Sequence, residues 1–456
     1  MSTHSCVLAP HLKGELAAVP DGKYGRMFTG LPVYEADEIA LLALGRAHAV
    51  IDSLLEPETG GASDNPRIPA GFPIFGQFIA HDITADRSLL QHHASLGELR
   101  NFRAPRLDLE SVYAAGPVGN PYLYDDNDPD KFLIGITDAG QPDDVPRNQQ
   151  GIALIGDPRN DVHLIISQMH LAFLKFHNRI VDELRAQGVD GASVFATARQ
   201  LVRWHYQWIV INEFLPLNVG EELVEDILAN GRQFYDYIER SFIPIEFADA
   251  AYRFGHSQIR ATYRLNDHAE GRIFPDLVGR RPIPQNRAID WRYIFSLDAN
   301  RPPQPSKLID GRMVHPLIDL PDTIVGATQN LDERSLACRD LQRGRSLDLP
   351  SGEAVSQAMG IEPLTAAECG LADPALLGET PLWLYILKEA EIRENGITLG
   401  EVGGRIVAEV LIGLADGDAD SYRNAASDWR PTLPSAQPGT FTMADLLRFA
   451  GVVRSA

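Results

Sequence analysis

A glutamine and a histidine stand four positions apart in the stretch FPIFGQFIAHDITAD, which covers residues 72–86. At about 3.6 residues per turn, this spacing places Gln77 and His81 on one face of a helix. The residues around them are mostly apolar, so the stretch predicts a dry pocket in which imidazole, which titrates near neutral pH, transfers a proton. A buried core histidine without a chemical role explains the same pattern.

An arginine opens the longest helical pattern of the chain, residues 156–184. Asp157 followed by a proline is typical of a helix start, which places Arg159 in the first turn. A cation there opposes the helix dipole, at a cost of about 1 kcal/mol or less. We therefore expect Arg159 to have another partner.

Three histidines recur every seven residues on the same pattern: His163, His170 and His177. Two helical turns separate each from the next, which is about 10 Å along the axis. This distance is too long for one shared metal ion. The spacing therefore argues against a metal site built from this row.

A second histidine with charged neighbours lies just past the middle of the chain. Arg253 and His256 stand one helical turn apart, and Gly255 removes a side chain where a flat or bulky group approaches. Asp340 and Arg343 share one side of a further predicted helix. Upstream, Asp108 and Glu110 alternate in an irregular segment, a pattern that collects oxygen ligands for calcium but is also common in solvated loops.

The elements that carry these residues are mostly helical by their apolar periodicity. The segment 122–136 predicts two short strands around an Asp/Asn/Pro turn, and residues 57–69 read as a Gly/Pro/Ser-rich linker. Because strand content is small, the predicted fold class is mainly α. The predicted helices cover residues 35–55, 72–86, 156–184, 192–215, 248–260, 331–344 and much of the C-terminal third.

Composition excludes several classes of protein. With 62 acidic against 41 basic residues among 456, the net charge is −21, so the surface repels nucleic acid and anionic membranes. Cys6, Cys338 and Cys369 are an odd number without CxxC spacing, which argues against a disulfide framework and a zinc site. No secretory signal and no run of about 18 apolar residues occurs, so we expect a cytoplasmic protein without a membrane span.

Several motifs then occur in a characteristic order: GQFIAHD, LDLESVY, GDPR followed by MH and HN, YRFGH, and LQRGR followed by LPSG. In this order the chain resembles the animal-type haem peroxidases of the peroxidase–cyclooxygenase superfamily, as a bacterial-type member related to myeloperoxidase. The resemblance implies a large single helical domain over residues 31–456 after an N-terminal extension, residues 1–30. It implies an enzyme that uses hydrogen peroxide to oxidise a small organic or halide electron donor through a high-valent state of haem iron.

The resemblance assigns roles on both sides of the haem. His81 matches the distal histidine that moves a proton on hydrogen peroxide, Gln77 the distal glutamine, and Arg159 the distal arginine. His256 matches the proximal ligand of the haem iron, and Asp340 the acceptor for its second ring nitrogen, where mammalian members have asparagine. The positions that pair with the haem propionates are Arg253 and Arg343.

The resemblance also implies a calcium site. Asp82, next to the distal histidine, and Asp108 match its two carboxylates. Ala104 replaces a threonine that supplies a hydroxyl, Glu110 falls where the family has serine or aspartate, and Arg106 lies on the same loop. The cofactors expected are therefore haem and, with one oxygen fewer than the family pattern, calcium.

Haem attachment departs from mammalian members. The positions of their two bonding carboxylates and methionine are here Ala80, Val162 and His163, and none of these can form the same bond. Asp161 is one residue away, which is about 100° around a helix, so we expect non-covalent haem b.

Two alternatives to a peroxidase stay open. In a fatty-acid dioxygenase of the cyclooxygenase branch, a tyrosine lies three residues before the proximal histidine, but that position is Arg253 and Tyr252 is one place off. A haem-binding protein without turnover has no need of Gln77, His81 and Arg159 together.

Overall fold

The computed structural model describes residues 15–16, 23–54, 63–85, 99–237, 240–371 and 373–453. Cys6, residues 57–62 of the predicted linker and Asp86, the last residue of the 72–86 stretch, lie outside these ranges. Cys338 and Cys369 are buried free thiols.

Helices are the main regular structure of the described chain and far exceed the strands, which confirms the predicted mainly α class. They are α1 (Glu38–Ala43), α2 (Gly71–Ile83), α3 (Glu110–Tyr113), α4 (Gly116–Gly119), α5 (Leu164–Ala186), α6 (Gly191–Ile209), α7 (Leu215–Val219), α8 (Glu221–Asn230), α9 (Ile245–Ala248), α10 (His315–Ile318), α11 (Asp322–Val325), α12 (Leu331–Arg334), α13 (Leu336–Ser346), α14 (Gly352–Ala358), α15 (Leu382–Arg393), α16 (Glu401–Asp416), α17 (Tyr422–Ala425) and α18 (Met443–Phe449).

The remaining regular structure is short. In the described part of the chain, six 3-10 turns cover Pro121–Leu123, Pro158–Asp161, Ala251–His256, Gln285–Arg287, Trp291–Tyr293 and Pro374–Leu376, and Val210–Phe214 is a π turn that continues α6. The strands are β1 (Glu15–Leu16), β2 (Tyr24–Arg26), β3 (Asp64–Pro69), β4 (Tyr124–Asp125), β5 (Asp128–Phe132), β6 (Ile243–Pro244), β7 (Thr262–Arg264), β8 (Glu270–Arg272) and β9 (Pro305–Lys307).

The described strands form small sheets of two or three strands. The order β1–β2–β6 forms one small sheet, with an antiparallel and a parallel pair, while β3–β9, β4–β5 and β7–β8 are antiparallel pairs. The β4–β5 pair confirms the two strands predicted in residues 122–136. Part of the predicted linker, Asp64–Pro69, is instead strand β3, which leads directly into α2.

Helix α2 lies at the centre of the core. Its Phe75 and Phe78 are fully buried and pack on Phe173 of α5, with the Phe78–Phe173 ring centroids 4.6 Å apart. Tyr206 of α6 meets all three rings edge-on. Such aromatic contacts fix orientation as well as bury area, so α5 and α6 hold α2 in place.

The prediction of one helix over residues 156–184 is wrong. Residues 158–161 form a separate 3-10 turn, and His163 has an extended backbone before α5 begins at Leu164. The reason is a tertiary contact: the backbone of residues 162–164 forms hydrogen bonds with Leu277 and Gly279. These bonds replace the helical bonds that the sequence pattern favours.

Three other predicted helices differ in extent. The helix predicted over 35–55 covers only Glu38–Ala43, and the chain beyond it packs on α13 so closely that a Cβ at Gly45 would be 2.7 Å from the Cys338 nitrogen. In place of one helix over 248–260 there are α9 and the turn Ala251–His256. The helix predicted over 331–344 is split into α12 and α13, because Ser335 caps α13 through the Cys338 N–H.

Within the described residues, no helix is long and apolar enough to cross a membrane.

Candidate active site

One stripe of α2 lacks protein cover. Gly76, Gln77 and Ala80 are half-buried, whereas the other residues of the helix are buried. Residues one turn apart share a helix face, so these three positions line a single open surface. The remaining faces of α2 are packed against the core.

The turn Ala251–His256 presents a matching open surface and packs against α2. Tyr252, Arg253, Gly255 and His256 are half-buried, while their neighbours in the turn are buried. A Cβ added to Gly255 would meet no atom within 4 Å, whereas one added to Gly76 would lie 3.2 Å from the Phe214 ring and 3.9 Å from the Tyr252 hydroxyl. The half-buried residues of the two elements border an opening between them, hereafter the slot.

His81 lies beside the slot with its proton position set by an amide. Its Nδ1 is 2.8 Å from Asn160 Oδ1, and Asn160 Nδ2 is 3.1 Å from His170 Nδ1. An amide oxygen only accepts, so His81 donates from Nδ1 and keeps a lone pair on Nε2. Burial, helped by the charge of Arg159, lowers the pKa of His81 to about 3. The ring is therefore a neutral proton acceptor at Nε2.

Sequence reasoning missed Asn160. It belongs to the 3-10 turn before α5 and is fully buried. Its one signal in the sequence is its place directly after Arg159. The sequence predicted one continuous helix here, and that helix gave no reason to expect a contact between Asn160 and His81.

Arg159 is clamped to the end of α2. Its Nη2 donates to the carbonyl oxygens of His81 at 3.0 Å and Thr84 at 2.6 Å, and its Nε and Nη2 pair with Asp157 at 3.0 and 2.8 Å. Burial alone would raise the pKa of Asp157, but Arg159 and Arg103 hold it below its ordinary value. Asp157 is thus the partner that the sequence required, although it caps the 3-10 turn rather than the long helix.

Gln77 is held by His163. Gln77 Oε1 lies 2.9 Å from His163 Nε2, and His163 Nδ1 accepts the N–H of Ile166 at 3.2 Å as the N-cap of α5. The position that carries a bonding methionine in mammalian relatives therefore contacts the distal glutamine candidate here.

On the opposite side of the slot, Asp340 joins two predicted residues. Its Oδ2 is 2.6 Å from His256 Nδ1, and its Oδ1 accepts from Arg253 Nη1 at 2.7 Å. Asp340 is fully buried, whereas 31% of the His256 side chain is exposed toward the slot. Burial alone would raise the pKa of Asp340, but His256 and Arg253 more than offset it and leave this pKa below its ordinary value.

The two arginines predicted to contact propionates share a carboxylate that the sequence analysis missed. Asp249 Oδ1 accepts from Arg253 Nη2 and from Arg343 Nε, both at 2.9 Å. Burial raises the pKa of Asp249 to about 6 despite the charge of Arg253. Arg253 also donates to the Ala248 carbonyl at 3.1 Å, so all three of its nitrogens are fixed.

The structure brings together two of the predicted calcium carboxylates. Asp82 accepts from the Leu109 N–H at 3.0 Å and the Ser111 N–H at 3.2 Å, and Asp108 accepts from the Glu110 N–H at 3.0 Å. Burial, and next the nearby Asp108, raise the pKa of Asp82 to about 7. Two buried carboxylates close together favour a cation between them.

The remaining predicted calcium residues turn elsewhere. The Glu110 carboxylate accepts from the Ala104 N–H at 3.0 Å, and the Arg106 guanidinium lies 3.7 Å from Asp418. No group of three or more His, Cys, Asp or Glu side chains that could hold a metal ion occurs in the described ranges. Backbone and solvent oxygens would therefore have to complete a calcium shell.

The residues near the lost attachment positions are occupied as well. Asp161 forms two hydrogen bonds with Arg147, at 2.6 and 2.9 Å, which hold it away from the slot. His163 is engaged with Gln77, and Ala80 and Val162 offer no bonding group.

The sequence is similar to one protein family and to several of its members. A family model described as animal haem peroxidase matches residues 91–369. A peroxidasin homolog of Caenorhabditis briggsae is 26% identical over 302 residues, 59% of this chain and 22% of that protein. A chorion peroxidase of Aedes aegypti is 24% identical over 313 residues, 64% of this chain and 37% of that protein. The chain thus spans a fifth to a little over a third of these relatives.

Solved structures share the fold. Peroxidase A from Dictyostelium discoideum matches with a TM-score of 0.65 at 16% identity, over 94% of this chain and 93% of that one. A fatty acid alpha-dioxygenase from Oryza sativa matches with a TM-score of 0.60 at 13% identity, over 92% of this chain and 81% of that one. At these identities the likeness concerns the fold alone.

Proposed function

Because this chain belongs to the animal haem peroxidase family, we propose that it is a haem-dependent peroxidase that uses hydrogen peroxide to oxidise a small organic molecule or a halide. One observation carries this proposal. A neutral histidine with a free Nε2, His81, and a carboxylate-bound histidine, His256, border the same slot from opposite sides.

The residues present fit haem. The slot is bordered by half-buried residues of two elements, and Gly255, with open space beside it, leaves room for a flat group. His256 donates a hydrogen bond from Nδ1–H to Asp340, which leaves the lone pair of Nε2 to hold the iron. Arg253 and Arg343 would pair with the propionates. Haem, when bound, supplies the iron that exchanges electrons between peroxide and donor.

The distal side chains supply proton transfer and charge. His81 accepts a proton from hydrogen peroxide at Nε2 and returns it to the oxygen that leaves as water. The bonds of Arg159 to described residues use Nε and Nη2, so its Nη1 and its fixed positive charge are available to stabilise charge on the departing oxygen.

Haem in this chain is proposed to be non-covalent haem b, because Ala80, Val162 and His163 form no ester or sulfonium bond and Asp161 is bound to Arg147. Calcium bound between Asp82 and Asp108 would tie the 104–110 loop to α2. The partners proposed are hydrogen peroxide and a small-molecule electron donor, without nucleic acid, and the proposed location is the cytoplasm.

The fold also agrees with the dioxygenase alternative, since proteins named fatty acid alpha-dioxygenases share it. That alternative needs a tyrosine three residues before His256. The residue there is Arg253, and hydrogen bonds fix all three of its side-chain nitrogens. The Tyr252 hydroxyl is buried without a hydrogen-bond partner among the described residues. The peroxidase proposal therefore explains more of the site.

The test is reconstitution of the purified protein with haem, followed by hydrogen peroxide with and without a phenol. We expect a Soret band, peroxide-dependent oxidation of the phenol, and extraction of the haem by acidified acetone. His81→Ala is expected to keep haem and to lose most of the rate, while His256→Ala loses haem.

Three outcomes contradict parts of the proposal. A Soret band without peroxide-dependent oxidation leaves a non-catalytic haem protein. Oxygen uptake with a fatty acid, without need of a phenol, supports the dioxygenase. Loss of haem in His81→Ala but not in His256→Ala means that the proximal and distal assignments are reversed.

A further inference from the structure

Two hydrogen bonds fix the proton on the His163 ring. Its Nδ1 accepts the Ile166 N–H at 3.2 Å, and its Nε2 lies 2.9 Å from Gln77 Oε1. A ring nitrogen that accepts an N–H cannot also carry a proton, so the neutral ring has its proton on Nε2. Burial lowers the pKa of His163 to about 3, in agreement with a neutral ring at pH 7.

This proton determines how the Gln77 amide is turned. The Nε2–H of His163 needs an acceptor, and the reversed amide would place an NH₂ group against it. The oxygen of Gln77 therefore faces His163, and its NH₂ group is directed away. No described residue accepts a hydrogen bond from that NH₂ group, and Gln77 is half-buried at the slot.

We propose that His163 is a positioning residue, which turns the Gln77 amide so that its two N–H groups face the slot and bind small hydrogen-bond acceptor anions there. The inference rests on the proposed haem site, because the anion would be a ligand at the iron. It assigns to His163 a role that replaces the haem bond formed at this position in mammalian relatives.

His163 also caps α5, so capping must be separated from positioning. Asparagine is among the best N-cap residues but is too short to keep the bond to Gln77. His163→Asn thus preserves the cap while removing the contact, and Gln77→Leu removes the amide itself.

The first measurement needs no haem. Histidine ¹⁵N NMR of the apoprotein is expected to show His163, assigned by its loss in His163→Asn, with Nε2 protonated and Nδ1 bare. A proton on Nδ1 overturns the inference. This result does not depend on haem binding by any variant.

The second measurement is fluoride titration of the ferric, haem-loaded protein, read from its visible spectrum. One lost hydrogen bond corresponds to an affinity loss of about 2- to 10-fold. We expect this loss in His163→Asn and in Gln77→Leu, and no further loss when the two are combined.

Fluoride affinity that stays at the wild-type value in His163→Asn, or in Gln77→Leu, overturns the positioning role. Losses that add in the double variant overturn it too, because they show independent effects. Failure of the peroxidase proposal looks different: no Soret band forms before fluoride is added.

Discussion

Replacing Asp340 by asparagine tests how the buried carboxylate acts on His256. The carboxylate lies 2.6 Å from His256 Nδ1 and 2.7 Å from Arg253 Nη1, and asparagine keeps its shape and one oxygen acceptor but removes the charge. Ferric iron bears one more positive charge than ferrous iron, so a stronger acceptor on the imidazole favours the ferric state. Asp340→Asn should therefore raise the reduction potential.

The magnitude follows from the two kinds of hydrogen bond. A bond to a charged group contributes about 1.5–3 kcal/mol and a neutral one about 0.5–1.5 kcal/mol, so the substitution removes roughly 1–1.5 kcal/mol. For one electron, 59 mV corresponds to a tenfold change, or about 1.4 kcal/mol. We expect the potential to rise by about 40–65 mV.

The assay is a spectroelectrochemical titration of the haem-loaded protein, with Asp249→Asn as the matched control. Asp249 is also buried and pairs with the same Arg253 at 2.9 Å, but its hydrogen bonds go to arginines rather than to His256. Its loss therefore changes the nearby charge without changing the acceptor of the imidazole.

The reasoning is refuted if the two variants shift the potential equally, since the effect is then one of net charge. A potential that falls in Asp340→Asn refutes it as well. Melting temperatures of both apoproteins show whether either variant has lost its fold.

Three further predictions concern separate parts of the chain. Asn160→Ala should slow the reaction with peroxide about 10- to 100-fold in stopped flow, because Asn160 holds the proposed general base His81 and general base catalysis contributes roughly 10²–10⁴-fold. The control is Asn178→Ala on α5, and equal slowing in that variant contradicts the prediction. Burial lowers the pKa of His177 to about 4, so the unfolded chain binds more protons than the folded chain between pH 6.5 and 4. Through this histidine, the free energy of unfolding falls by about 1.4 kcal/mol for each pH unit by which the pH is lowered in that range. His177→Gln should therefore make the melting temperature depend less on pH, as measured by thermal denaturation. Added calcium should raise the melting temperature, and Asp108→Asn should abolish that rise; an unchanged melting temperature in the wild type refutes the calcium site.

Sequence reasoning placed residues well where local periodicity determines the geometry. Gln77 and His81 lie on α2 as their spacing predicted. The contact of Asp340 with His256 joins residues far apart in the sequence and agrees with what the family resemblance implied, not with a local pattern. Reasoning failed where a distant segment redirects the chain. Residues 277–279 interrupt the helix before His163, and this break brings Asn160 to His81.

Some contacts were beyond any sequence pattern. Asp249 joins Arg253 and Arg343 from a position between α9 and the following turn, and neither spacing nor residue type predicts a shared carboxylate. The assigned roles in peroxide chemistry, and the boundary at residue 30, stay predictions.

The two sides of the slot depend on different helices. His81 and Gln77 are held by Asn160 and His163, which lie just before the start of α5. The proximal histidine is held instead by Asp340 of α13. A displacement of one helix relative to the other would alter the span between base and iron without breaking a hydrogen bond on either side. In the proposed enzyme, core substitutions far from the slot would therefore change the turnover rate while the spectra of both halves stay normal.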